Sequence, residues 1–165
     1  MLATALLFAL AAAASTPVAG AGSASSGPAV AVFKAPEGGY HTFNNPAMVR
    51  LSSSGALLVF CEARKGGGGD GDTIDVGFKR STDVGKTFSA LRSIVPNEHT
   101  TLGNNVALVV NRTASAGGER VILVISANNT LVWQIHSDDA GLTWSTPSDI
   151  TSQVKLPDEG WIATG

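Results

Sequence analysis

The residues of this chain whose types could do chemistry lie close together between positions 62 and 72. Glu62 and Arg64 end an apolar run, and Asp70 and Asp72 follow after a run of glycines. An arginine guanidinium can bind a carboxylate through two parallel hydrogen bonds. Two nearby carboxylates repel each other when both are ionised, so Asp72 could help to keep Asp70 protonated and able to donate a proton. A solvated acidic loop beside a surface arginine is the alternative interpretation.

Other chemistries for this loop are excluded by the spacing of its residues. No Gly-Lys-Ser/Thr follows the glycines, which excludes a phosphate-binding loop of the P-loop type. Asp70 and Asp72 resemble the start of a calcium loop, but Ile74 occupies the next ligand position. The three histidines lack the spacing of metal ligands. We therefore expect neither a metal nor a cofactor, and the net charge of −2 gives no indication of a nucleic-acid partner.

Short apolar or β-branched runs separated by turn residues must position this loop. No run after the N-terminal stretch keeps a helical period, whereas low charge (15%) and 19 glycines are typical of an all-β chain. The runs predict two groups of four strands. These strands are expected at residues 47–51, 56–62, 73–80 and 88–95, and at 106–111, 120–126, 131–136 and 144–150.

The two groups share a turn motif, Ser-x-Asp-x-Gly-x-Thr followed by an aromatic residue, at a spacing of 56 residues. Glycine permits the positive φ of a tight hairpin, and aspartate can accept hydrogen bonds from turn amides. The aromatic ring can be buried after the turn. A repeat of four-stranded units predicts blades of a β-propeller. The residues expected to hold the turns are Ser81, Asp83, Gly85, Thr87 and Phe88, and Ser137, Asp139, Gly141, Thr143 and Trp144.

The turn motif resembles the Asp-box of sialidases (neuraminidases) and related propellers. Residues 39–51 resemble the first strand of the sialidase domain, and residues 62–70 resemble its Glu-x-Arg element and the loop that carries an acid. The resemblance is to lysosomal and bacterial-type exo-sialidases, over roughly residues 38–165. It implies a six-bladed β-propeller that hydrolyses terminal α-linked sialic acids on glycoproteins, glycolipids or oligosaccharides.

The resemblance also implies roles for individual residues. In that family three arginines hold the substrate carboxylate, an aspartate is the acid/base, and a tyrosine activated by a glutamate is the nucleophile. Arg64 is then a substrate-binding residue and Asp70 the acid/base. Asp72 is the rival, because a loop shift of one or two residues would exchange the two. The aspartates of the Asp-boxes are expected to be structural.

One position departs from the family pattern. Asn44 stands where the first arginine of the triad is expected, in the stretch Phe-Asn-Asn-Pro. An asparagine offers a neutral hydrogen bond, and losing a charge-assisted contact costs ~1.5–3 kcal/mol. We therefore expect weakened binding of a substrate carboxylate at this position.

The N-terminal stretch predicts that the chain enters the secretory pathway. An apolar run followed by small residues predicts a signal peptide at 1–22, then a leader at 23–37 and a partial propeller domain at 38–165. A buried helix or a single membrane anchor is the alternative interpretation, but the run is too short to span a membrane comfortably. No transmembrane span beyond the signal peptide is expected. A secreted, lysosomal or membrane-associated protein with sialylated glycoconjugates as partners is the expectation.

About two of the six blades are expected within the 165 residues. The nucleophilic tyrosine, its glutamate and the other two arginines would lie after Gly165. Tyr40 is the single tyrosine of the chain, and its place on the first strand does not match the nucleophile. We expect the chain by itself to be impaired or inactive as an enzyme, with a non-catalytic glycan-binding propeller as the alternative.

Overall fold

The computed structural model describes residues 29–95, 101–111, 118–157 and 160, with residues 104–111 described by their backbone. The predicted signal peptide and most of the predicted leader lie outside the described residues. Within the described ranges, no helix combines the length and the apolar character needed to cross a membrane.

Eight strands form two four-stranded antiparallel sheets, each with its strands in chain order. We call the first sheet blade 1 and the second blade 2. Blade 1 contains β1 (Thr42–Arg50), β2 (Leu57–Arg64), β3 (Ile74–Ser81) and β4 (Arg92–Ser93). Blade 2 contains β5 (Leu102–Asn111), β6 (Glu119–Ala127), β7 (Leu131–Ser137) and β8 (Ser148–Asp149), and is followed by the short helix α1 (Thr151–Val154). The all-β prediction and the grouping of four strands with four are confirmed.

The strand bounds differ most from the prediction at the first and last strands of each blade, and β5 begins at Leu102, four residues earlier than predicted. Strand β1 begins at Thr42 because the pairing with β2 shifts between Asn44 and Ala47, and this bulge carries the strand past Pro46. The outer strands β4 and β8 have two residues each. The hydroxyls of Ser89 and Ser145 accept hydrogen bonds from the backbone amides of residues 80 and 136, and the amides of the two serines donate to the carbonyls of the same residues. A side chain thus supplies one of the two bonds at each of these positions.

The core of the described chain lies between the two blades. Side chains at alternate positions of β2 and β3, including Leu58, Phe60 and Phe78, meet the corresponding face of β6 and β7. All three are at most 1% exposed. Trp144 of blade 2 stands edge-on to Phe60 and Phe78 of blade 1, with ring centroids 5.6 and 5.7 Å away. The aromatic residue after the second turn thus packs on the neighbouring blade.

The two repeated turns have the same hydrogen bonds. In the first, Asp83 accepts from the amide and hydroxyl of Thr87 at 2.9 and 2.6 Å, and Ser81 Oγ accepts from the Gly85 amide at 2.9 Å. In the second, the same groups 56 residues later make the same bonds. Both turn glycines have a positive φ, 84° for Gly85 and 83° for Gly141. Each turn is therefore held by its own side chains, together with one longer backbone bond, from the Lys86 amide to the Asp83 carbonyl at 3.5 Å in the first and from the Leu142 amide to the Asp139 carbonyl at 3.4 Å in the second.

Candidate functional site

The edge of blade 1 where β2 passes into β3 carries a buried arginine. Arg64 is 5% exposed. Its Nη2 and Nε donate to Glu62 Oε2 at 2.6 and 3.2 Å, and its Nη1 donates to Asp70 Oδ1 at 2.8 Å and to the carbonyl of Gly68 at 2.7 Å. Burial opposes the charged form, but the bonds to the two carboxylates outweigh it and raise the pKa of Arg64. The guanidinium therefore joins the strand to the loop.

Asp70 and Asp72 occupy different environments within this loop. The side chain of Asp70 is 92% exposed, and its carboxylate accepts a hydrogen bond from Arg64 Nη1. Asp72 instead accepts from the amides of Gly68 and Gly69 through Oδ2, at 2.7 and 3.0 Å. A ligand at the loop can reach the Asp70 carboxylate, whereas Asp72 is engaged in holding the backbone of the loop.

Blade 2 fastens the end of the loop. Thr101 Oγ1 donates to the carbonyl of Asp72 at 3.0 Å, and residues 74 and 101 form a parallel bridge. Asn128, in the turn between β6 and β7, donates its backbone amide to the Thr101 carbonyl at 2.8 Å. These contacts hold the C-terminal end of the loop against both blades, whereas the side chain of Asp70 is exposed to solvent.

Asn44 lies on β1 directly opposite Glu62 of β2. Directly paired residues of an antiparallel ladder share a face, so Asn44 stands on the same side of blade 1 as Glu62 and Arg64. Its side chain is half-buried. The four positions singled out from the sequence, 44, 64, 70 and 72, are therefore at one edge of one blade. Arg50 lies at the opposite end of β1, where it pairs with Leu57.

Two further residues of this edge had no role assigned from the sequence. Glu62 is 3% exposed and binds Arg64, and its Oε1 accepts from Asn45 Nδ2 at 2.8 Å. Asn45 has a φ of 47°, a left-handed conformation that asparagine tolerates better than most residues. The two-residue spacing of Glu62 and Arg64 on a strand was the available signal for their contact. No sequence signal predicted the bulge that turns Asn45 toward Glu62.

The reverse face of the same edge is anchored by a buried carboxylate. Asp75 Oδ2 accepts from the Tyr40 hydroxyl at 2.6 Å and pairs with Lys65 Nζ at 3.0 Å. Burial and the Asp75 carboxylate raise the pKa of Tyr40 to about 12. Tyr40 is thereby kept protonated, which suits an anchor and not a nucleophile.

The repeated turns lie away from this edge. Both begin where β3 and β7 end, at Ser81 and Ser137, whereas Arg64 ends β2 and the loop leads into the start of β3. Their carboxylates bind their own turns and do not contact Arg64. Among the described residues, no group of three or more His, Cys, Asp and Glu side chains could hold a metal ion.

Comparison with known proteins shows which family this chain resembles. A sialidase of Clostridium perfringens is 31% identical over 135 residues, 69% of this chain and 35% of that protein. An exo-alpha-sialidase of Arthroderma benhamiae is 28% identical over 153 residues, 77% of this chain and 37% of that protein. The chain thus spans little more than a third of the length of these relatives. No family model matches.

The solved structure of the Hadza microbial sialidase Hz136 has the same fold over the matched part. It superposes with a TM-score of 0.58 at 25% identity, over 72% of this chain and 28% of that chain. These matches agree with the architecture of this chain, which has two four-stranded antiparallel blades. The Glu-x-Arg strand and the aspartate loop lie at one edge of blade 1. This chain belongs to the sialidase family, and its two sheets are blades of a β-propeller.

Proposed function

We propose that this chain supplies the acid/base and one substrate-binding arginine of an exo-α-sialidase, an enzyme that releases terminal α-linked sialic acids from glycoproteins, glycolipids or oligosaccharides. The observation that carries the proposal is the pair of Arg64 and Asp70. A guanidinium held by a buried carboxylate points at an exposed carboxyl group on a loop of glycines. The sialidase relatives support the choice of substrate.

Asp70 is the proposed acid/base because a glycosidic oxygen can reach its carboxyl group. As the bond to the leaving group breaks, the protonated carboxyl donates its proton to that oxygen, and the resulting carboxylate can later accept a proton from water. Asp72 is the weaker candidate, since both described bonds to its carboxylate come from amides of its own loop.

Arg64 has a defined part in this proposal. Its Nη1 is the nitrogen directed at the loop, where it binds Asp70. When a sugar enters, a ligand oxygen can take the place of the Asp70 carboxylate on Nη1. Arg64 thereby exchanges a bond to the acid for a bond to the substrate, which frees the acid to face the leaving group.

The test is turnover of a fluorogenic sialoside by the full gene product and by its Asp70→Asn variant. Since a positioned general acid contributes about 10²–10⁴-fold, we expect kcat/KM to fall by at least about 100-fold. Asp149→Asn, an exposed carboxylate in blade 2, is the matched control and should keep its turnover. Equal kcat/KM in the Asp70→Asn variant and the unaltered protein would refute the acid/base role.

A non-catalytic sialoglycan-binding propeller is the second candidate, and one residue favours it. Asn44 carries no charge at the position where the family places the first arginine of its triad. If Asn44 limits the enzyme, Asn44→Arg should lower KM by about 10- to 100-fold, because a charge-assisted bond to the carboxylate is regained. Binding of sialyllactose without turnover, weakened by Arg64→Ala, would instead establish the binding role.

The location of the protein is part of the same proposal. We place it in the secretory pathway, on the strength of the apolar N-terminal stretch and the glycoconjugate substrates. Expression with a C-terminal tag in cultured eukaryotic cells should give a mature N-terminus near residue 23 by mass spectrometry. Retention of Met1 and the apolar run in the cytosolic fraction would contradict it.

A further inference from the structure

A buried carboxylate forms the base of the arginine site. Glu62 is 3% exposed, and its Oε2 accepts both Nη2 and Nε of Arg64 at 2.6 and 3.2 Å. A buried charge is strongly destabilising unless it is paired and hydrogen-bonded. Two bonds to one side of a planar guanidinium also fix its rotation, because the five N–H groups keep a rigid geometry.

The other oxygen of Glu62 is held from β1. Asn45 Nδ2 donates to Oε1 at 2.8 Å, from the bulge where Asn45 has a φ of 47°. Blade 2 leaves room for this arrangement, since a Cβ at Gly103 would stand 2.8 Å from Oε1. Glu62 is thus fixed by its neighbours in blade 1 and enclosed by the first strand of blade 2.

The consequence concerns the direction of Arg64. With Nε and Nη2 on Glu62, the guanidinium has Nη1 left for the loop, where it meets Asp70 Oδ1 and the Gly68 carbonyl. We infer that Glu62, itself held by Asn45, is the positioning residue that aims Nη1 of Arg64 at Asp70 and at the ligand. The ligand part of this inference rests on the proposed sialidase function, and the aiming of Arg64 does not.

Asn45 matters here because of the oxygen that it binds. Both bonds from Arg64 to Glu62 end on Oε2, whereas the amide of Asn45 binds Oε1. Asn44, the direct cross-strand partner of Glu62, brings no charge to that carboxylate. The guanidinium and the Asn45 amide therefore hold the two oxygens of Glu62 from two directions, which fixes the plane of the carboxylate.

The first experiment measures hydrogen exchange at Arg64 Nε by NMR, in the full chain labelled with ¹⁵N-arginine. The signal is assigned by its loss in Arg64→Lys. A bond to a buried carboxylate should protect this N–H, and Glu62→Gln should raise its exchange rate by about tenfold or more. Asp138→Asn, which alters an exposed carboxylate bound to Arg120 within blade 2, should leave the rate unchanged. An unchanged rate in folded Glu62→Gln would overturn the inference.

A second variant covers the case in which Glu62→Gln fails to fold. Asn45→Gly removes the side chain that holds Oε1 without straining the positive φ. We expect exchange at Arg64 Nε to accelerate several-fold. Asn129→Gly, at a φ of 56° in an exposed turn of blade 2, is the matched control and should have no effect. Identical rates in both glycine variants would show that Asn45 does not support Arg64.

A ligand measurement then separates this inference from the proposed function. Sialyllactose binding is titrated by NMR in the unaltered full gene product and in its Glu62→Gln variant. Binding that weakens about tenfold while the amide spectrum stays native supports the aiming of Arg64 at the ligand. Equal affinity would refute that aiming. If the unaltered full gene product binds no sialyllactose, the proposed function fails, and the exchange rate at Arg64 Nε still decides whether Glu62 positions the guanidinium.

Discussion

At the scale of single residues, Asp70 and Asp72 illustrate how two like side chains in one loop acquire different tasks. The Asp70 carboxylate is in solvent and meets Arg64, and the Asp72 carboxylate accepts two amides of the loop. Hydrogen bonds to a carboxylate from backbone amides order the backbone that donates them. Asp72 therefore acts on the shape of the loop, whatever chemistry Asp70 performs.

Replacing Asp72 by alanine should loosen the loop. We expect amide exchange at Gly68 and Gly69 to accelerate by about tenfold or more, and the free energy of unfolding to fall by about 1–2 kcal/mol, because two charge-assisted bonds are lost. Hydrogen exchange followed by NMR gives the first quantity and urea denaturation the second. Asp70→Ala is the comparison, and those two amides should keep their protection. Equal exchange in both variants would contradict the division of tasks.

At the scale of elements, the repeated turns explain how β3 and β7 are ended in the same way. Bonds from the Thr87 hydroxyl and amide, and from the Ser81 hydroxyl, lower the pKa of Asp83 to about 2. Burial opposes ionisation of Asp139, but bonds from Thr143 and Ser137 outweigh it, so the pKa of Asp139 is lowered as well. Each turn thus prefers an ionised aspartate.

This preference predicts loss of stability in acid. A carboxyl whose folded pKa is depressed contributes stability above its unfolded value, near 3.9, and loses that contribution as the pH falls through the folded pKa. For Asp83 the window runs from about pH 4 down to about pH 2. Urea denaturation at several pH values should give a shallower pH dependence for Asp83→Asn than for the unaltered chain. An equal slope would show that the turn does not favour the ionised form.

At the scale of the whole described molecule, the second turn is also a contact between blades. Arg80 Nε donates to the Ala140 carbonyl at 2.8 Å, and both terminal nitrogens of Arg92 lie 3.3 Å from the Leu142 carbonyl. Ser52 and Ser53 of blade 1 bind the carboxylate of Glu119. The apolar core and these polar contacts hold the blades side by side. This arrangement keeps the end of the Asp70 loop in contact with Thr101.

Gly141 should be a sensitive glycine of this interface. A Cβ there would lie 2.9 Å from Phe78 Cζ, and the φ of 83° is unfavourable for alanine. Combining overpacking with the left-handed φ, Gly141→Ala should cost about 2–4 kcal/mol of unfolding free energy. Gly118→Ala has a φ of 79° and open space around its Cβ, so about 1 kcal/mol is expected. Denaturation curves of the two variants that coincide would exclude the clash between blades.

The repeat and its turns could be predicted from the amino-acid sequence alone. Alternating runs and the spacing of 56 residues were sufficient for two groups of four strands, because strand and turn formation depends on near neighbours. The local chemistry of the turns could be derived in the same way from Asp83, Gly85 and their counterparts. The sequence also predicted that Arg64 and Asp70 lie near each other, because Asp70 is only six positions after Arg64.

Contacts between distant residues became known from the tertiary structure. The bulge in β1 turns Asn45 toward Glu62, 17 residues away, and the register of β1 with β2 sets Asn44 opposite Glu62. Thr101 reaches Asp72 across 29 residues and from the other blade. No local propensity encodes such contacts, because a one-residue shift of register would turn every side chain of a strand to its other face. The buried setting of Arg64 and the separate tasks of Asp70 and Asp72 result from that register and from the packing of blade on blade.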